Sequence, residues 1–317
     1  MSTRRAPGAV WAVAVMALCA GGCRAHLGAN MQQTRASTPA GEFVFSFEPP
    51  DRQARDKVEQ AIRNAAPALA AWGGVREPVA VYILPSHRAL EDAVHRNGYA
   101  WLKAWARYEE IFLQSPRTWS VFGARQADVD ELVLHELTHT VMYQQAADST
   151  HWARKGIPLW FREGMASYTA NQGYRWPTLE DLARFYDDFP GRDPLLDPDP
   201  LYQNDSDIVY GAAHHAFTFL VNRYGRDGVK RLLAQMRAGD DFGTAFAGAL
   251  AISQERFTKD FQNYVRWRGF RGGRIRRPEP ATGTPAGSPE SDIRTTSMEP
   301  FPPPARRSDP EEETCTR

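Results

Sequence analysis

The sequence predicts an α+β domain in which a small mixed sheet lies beside one central helix and a mostly helical C-terminal half completes the fold. Three observations predict it. Short β-branched and aromatic runs recur in the first third of the chain. A long apolar stretch at helical spacing occupies 129–145. Beyond it, nearly every apolar segment repeats with a helical rather than an alternating period.

Phe43, Phe45 and Phe47 alternate with Val44 and Ser46, the pattern of a strand with one buried face. Val58, Ile62, Ala65, Leu69 and Trp72 line one side of a helix over 56–72. Val79–Leu84, bounded by Pro78 and Pro85, reads as a second strand, and Ser86 can cap a helix after it. Glu110–Gln114 reads as another short strand, either inside the sheet or at the edge of a cleft, where it would pair with an extended peptide. The helix over 129–145 carries Leu132, Val133, Leu137, Val141 and Met142. A second helix follows over 158–170, with Pro158 suited to its first turn. The Pro- and Asp-dense 190–207 reads as a surface loop. A helix over 208–224 ends at Gly225, and shorter helices follow over 227–238, 240–250 and 253–268.

Composition sets the organisation. Of 317 residues, 42% are hydrophobic and 24% charged, enough apolar material for a sizeable core. Lys+Arg and Asp+Glu are both 38, which speaks against a nucleic-acid binder. Arg4 and Arg5, an apolar run from Ala9 to Ala20, and then Gly21-Gly22-Cys23 give residues 1–22 the layout of an export signal. The small residues before Cys23 resemble a bacterial lipobox, with Ala20 where leucine is usual. The resemblance implies a lipid on Cys23 and a membrane-anchored location at the cell envelope; a plain cleaved signal is the alternative. Residues 23–41 read as a tether, 42–271 as the folded domain, and the Pro/Gly/Ser-rich 272–317 as a disordered tail. Cys19, Cys23 and Cys315 offer no structural disulfide once the signal and lipid are allotted.

The chemistry centres on His135-Glu136-Leu137-Thr138-His139. Residues four apart share a helix face, so both imidazoles can reach one ion, while Glu136, turned by about 100°, can act on a water without being a ligand. A catalytic zinc needs a third protein ligand and an open position. Glu163, 24 positions after His139 in Trp160-Phe161-Arg162-Glu163-Gly164-Met165-Ala166, can supply it from a returning helix.

These two motifs resemble the gluzincin zinc metallopeptidases, in particular bacterial peptidase MA-like domains whose second motif is Glu-Gly-x-Ala. The resemblance implies a zincin-like fold, Zn2+ on His135, His139 and Glu163, Glu136 as general base, and a peptide or protein substrate. Ser167 stands where thermolysin-like enzymes have aspartate, and Arg162 where aminopeptidases have asparagine; the Gly-x-Met-Glu-Asn exopeptidase motif is absent. Tyr210 and His214, four apart on one helix, are the candidate oxyanion donors, with core packing as the alternative, and Ser167 is a candidate support for the ligand imidazoles. A catalytically inactive binding lipoprotein and a zinc amidase of the cell wall are the rival readings. Tyr99, Trp101, Trp105 and Tyr108 read chiefly as core. The arginines at 266, 268, 271, 274, 276 and 277 read as a solvated helix end, and His87, His95 and His151 have no partners at metal-ligand spacing.

Overall fold

A computed structural model describes residues 30–96, 98–99, 102–201 and 205–272; residues 1–22, read above as an export signal, Cys23, Trp101 and the segment from 273 onward lie outside these residues. Five strands, β1 (Gln32–Thr38), β2 (Gly41–Phe47), β3 (Val79–Leu84), β4 (Ala104–Ala106) and β5 (Glu110–Gln114), form one sheet in the order β1-β2-β3-β5-β4. β2, β3 and β5 run parallel, and β1 and β4 are antiparallel edges. The sheet is mixed and the rest is mostly helical, as the sequence predicts.

One expectation is corrected, and one open alternative is decided. The segment read as a tether contains β1, whose Gln32–Thr38 pairs residue by residue with β2, so folded structure begins upstream of Glu42. β1 carries no large apolar residue and so lacks the alternation that marks a half-buried strand. Glu110–Gln114 is an inner strand; the cleft-side edge is β4, three residues long and too short to show a period.

Period-two alternation divides the sheet's two faces. Phe43, Phe45, Phe47, Val79, Val81, Ile83, Ile111 and Leu113 enter the main core under α1 (Arg52–Ala70) and α3 (Gln126–Ala146). Tyr82, Leu84 and Phe112 enter a smaller core under α2 (His87–Val94), which Ser86 caps by accepting from the Ala89 N–H. Tyr99 and Trp105 pack there, whereas Tyr108 is buried in the main core and donates its hydroxyl to Glu77.

α3 is buried on nearly every side from Leu132 to Ala146. α4 (Leu159–Thr169) crosses it, with Pro158 as its cap residue rather than its first helical residue. α5 (Leu179–Asp188), not anticipated from the sequence, starts on a Thr178–Asp181 capping box. α6 (Ser206–Ala238) breaks at Gly225 (φ 69°, ψ 168°), where the sequence places a helix end. α7 (Phe242–Leu250) and α8 (Gln254–Gly272) close the helical half. α4 and α6 meet at backbone distance through Gly164: a β-carbon there would lie 2.4 Å from the Ala213 carbonyl oxygen and 2.7 Å from Phe217 Cβ.

Candidate metal centre

Helical period four gives α3 two working faces. On one lie Glu136, Thr140 and Gln144, all bonded to the β4–β5 hairpin or the turn before β3. The Ala106 N–H donates to the Glu136 carboxylate, and Thr140 Oγ1 donates to the Arg107 carbonyl at 3.0 Å. Gln144 Nε2 donates to the Tyr108 and Glu77 carbonyls at 2.9 and 3.2 Å, and its Oε1 accepts from the Arg76 and Glu77 amides. Edge strand β4 is thereby stitched beside Glu136. On the adjacent face lie His135, His139 and Tyr143, the last with its ring parallel to His139 at 6.3 Å.

α4 brings Glu163 to the two histidines. His135 Nε2 and His139 Nε2 are 3.2 Å apart, and Glu163 Oε2 lies 3.5 and 3.6 Å from them. Metal bonds of about 2.1 Å at tetrahedral angles place neighbouring ligand atoms about 3.3–3.4 Å apart, so the donor triangle fits a small tetrahedral ion. All three residues are buried and form the metal-capable group found among the described residues. Glu163 Oε2, His139 Nδ1 and Glu136 Oε1 are buried without hydrogen-bond partners. Unpartnered buried atoms of this kind are costly. For Glu163 Oε2, a cation is the partner that fits.

The charges follow from this geometry. Burial pushes the Glu136 carboxyl up to about 7; His135 opposes the shift and the Glu163 carboxylate reinforces it. Burial alone would raise Glu163 too, but the imidazoles, His139 foremost, outweigh it and hold that carboxyl below the usual range. His139 is lowered, by burial first. Burial also works against a charge on His135, yet the adjacent Glu163 carboxylate, with Glu136, raises it.

Gln172, which the sequence reading missed, supports the site. It lies in the 3-10 turn Gln172–Arg175, and its Oε1 is 2.9 Å from His135 Nδ1, which fixes Nε2 toward Glu163. A glutamine in a tight turn carries no local signal of that duty. Ser167, the expected support, instead bonds His214 Nδ1 and Trp176 Nε1, both at 2.8 Å. His214 is thus taken up on one nitrogen by Ser167, while a β-carbon on Gly173 would come within 2.7 Å of its Nε2. Burial lowers it to about 4, with His215 adding to the shift, so it is a neutral wedge holding the Gln172 turn. Tyr210 is buried one helical turn away, its ring stacked on Trp176 at 5.3 Å. Arg162 hydrogen-bonds Tyr143, and its charge acts on His139. His87 and His151 bond Gln114 and Asp148, and His95 ends α2 in a left-handed conformation. Arg266 and Arg268 lie on α8, as read.

We expect Gln172→Ala to weaken metal binding about 10–100-fold while leaving the fold intact. Competition with a coloured chelator reads this directly; unchanged affinity would remove Gln172 from the support of His135.

A central helix with paired histidines, a crossing helix with a glutamate, and a mixed sheet alongside define a zincin-like peptidase domain. The Peptidase MA superfamily profile matches residues 61–267, and the chain belongs to that family. It is 25% identical over 135 residues, 41% of its length, to the uncharacterized protein YhcO of Bacillus subtilis (strain 168), of which it spans 39%. Legionella pneumophila aminopeptidase A, solved in complex with aspartic acid, aligns with a TM-score of 0.45 and 16% identity over 73% of this chain and 28% of its own.

Proposed function

We propose that this protein is a zinc-dependent metallopeptidase that hydrolyses peptide bonds at the cell envelope, held to the membrane through a lipid on Cys23. The observation that carries the catalytic part is the buried donor triangle of His135, His139 and Glu163 with Glu136 beside it. The choice of Zn2+ rests on the nitrogen-rich His2Glu set and its near-tetrahedral spacing. When bound there, zinc supplies a Lewis acid that acidifies water and polarises a carbonyl.

The chain's own residues do the rest. Glu136 takes a proton from the attacking water and returns it to the leaving nitrogen; burial tunes it toward neutral pH for both transfers. The Ala106 N–H holds one side of that carboxylate and leaves Oε1 for the water. Outer edge positions of β4 accept an extended peptide by strand addition, next to Glu136. Of the two oxyanion candidates, the Tyr210 hydroxyl keeps the role in this reading, because His214 is enclosed by Ser167 and Gly173.

The test is metal analysis of the purified chain alongside hydrolysis of an unfolded protein such as casein. Bound zinc, with activity lost on chelation and restored by zinc, is the expected result. A chain that binds no zinc, or binds it and cleaves neither casein nor a peptide library, would overturn the proposal.

A further inference from the structure

The turn between β5 and α3 exposes two adjacent apolar side chains almost completely: Val121 is 96% and Phe122 98% exposed. Single exposed apolar residues are ordinary, but here the backbone is organised to hold both out. Ser120 Oγ donates to the Gly123 carbonyl and accepts from the Phe122 N–H. Gly123 takes φ 76°, a left-handed conformation that suits glycine, and its N–H bonds the Ser120 carbonyl. The base is closed by Ala124 N–H to the Pro116 carbonyl and by Lys57 Nζ to the Ala124 carbonyl. Trp119, beside the tip, is anchored through Nε1 to the Gln114 carbonyl, with Lys103 Nζ 5.2 Å from its ring centroid.

Arg117 and Arg125 flank this turn in sequence, and Arg52 follows Asp51, which bonds the base of the turn. Arg52 is exposed and Arg125 strongly so, while Arg117 is half-exposed. The carboxylate beneath Arg117 is the fully buried Asp51, and Arg125 pairs with the partly buried Asp128. An apolar tip next to a tryptophan and flanked by arginines matches the interface of an anionic bilayer.

Strand register places the tip where the upstream chain arrives. Gln32 is opposite Phe47, Phe47 opposite Ile83, and Leu84 opposite Gln114, so the start of β1 and the ends of β2, β3 and β5 share one end of the sheet. The turn springs from that same end, since the Ser115 N–H bonds the Leu84 carbonyl and Ser115 Oγ bonds Asp51. Cys23 precedes Gln32 by nine residues, a reach of at most about 30 Å.

We propose that the Trp119–Phe122 turn docks the domain on an anionic lipid surface. Val121 and Phe122 enter the interface, and Arg52, Arg117 and Arg125 meet the headgroups. Its setting rests on the envelope location proposed above, whereas the contact itself rests on the turn. Because α3 begins just after the turn and His135 is nine residues into it, the metal centre would stand about 14 Å farther along the helix axis than its start.

The test uses the full chain with its leader, reconstituted in vesicles of an equal mixture of phosphatidylcholine and phosphatidylglycerol with brominated acyl chains. Phe122→Trp adds an emission that we expect the bromines to quench, whereas the emission added by Leu196→Trp, an exposed position in the helical half, stays unquenched. Flotation reads the anchoring, and quenching reads the turn. A chain that floats with Trp at 122 unquenched overturns the docking alone. In Cys23→Ser, quenching that persists while anchorage weakens supports the docking and counts against the lipid as its cause. A chain that does not float overturns both. Quenching indifferent to removal of phosphatidylglycerol overturns the role given to the arginines. Loss of casein hydrolysis by Phe122→Asp in detergent solution would make the turn a substrate contact and overturn the docking.

Discussion

Replacing Glu136 with glutamine should lower peptide hydrolysis by about 10²–10⁴-fold and leave metal content unchanged. Glutamine keeps the side chain's shape and can still accept the Ala106 N–H through its carbonyl oxygen, but it cannot take a proton from water. Because Glu136 stands outside the donor triangle formed by His135, His139 and Glu163, a metal held there would keep all three donors. The variant also removes a buried carboxylate whose Oε1 has no partner, so its melting temperature should hold or rise. Three assays on one preparation therefore separate the roles. Retained hydrolysis would place the base elsewhere, and lost metal would make Glu136 part of the coordination.

The second large effect is on metal affinity. Glu163→Ala removes the only carboxylate of the triangle and leaves two imidazoles 3.2 Å apart. We expect affinity to fall beyond about 100-fold, because a site of two neutral donors lacks both the third bond and the charge that balances the cation. The stability consequence follows by linkage: a metal present at 100 times its Kd stabilises the fold by about 2.7 kcal/mol. For a domain of this size that is about 5–10 °C in Tm. Wild-type protein should lose that increment on chelation, whereas Glu163→Ala should melt at one temperature with or without chelator. Equal chelator sensitivity of the two proteins would displace Glu163 from the metal site.

What the sequence made legible was what helix geometry decides locally. His135 and His139 share a face of α3 by spacing alone, and Phe43, Phe45 and Phe47 share a face of β2 for the same reason. Glu163 was reachable because its neighbours Gly164 and Ala166 complete a motif. β1 was hidden because its strand identity comes from pairing with β2 rather than from apolar alternation. β4 was hidden because three residues hold no period. Gln172 was hidden for a deeper reason: its position depends on a turn held by His214 and Trp176, so its role is set by contacts far away in sequence. α5 is different. Its Thr178–Asp181 box and the spacing of Leu182, Phe185 and Tyr186 were present in the chain, and the signal was there to be read.

The Gly164 contact couples two properties that selection would otherwise tune apart. With no space for a β-carbon between α4 and the Ala213 carbonyl, the helix bearing Glu163 and the helix bearing Tyr210 behave as meshed gears. Any drift of α6 is transmitted to Glu163 at the neighbouring position, and so to the donor triangle. Variants selected for new substrate preference along α6 should then register early as changes in metal retention. On the β4 side the wall is tied instead to α3, through Thr140 to Arg107 and Gln144 to Tyr108, so changes there would reach Glu136 and the paired histidines before Glu163.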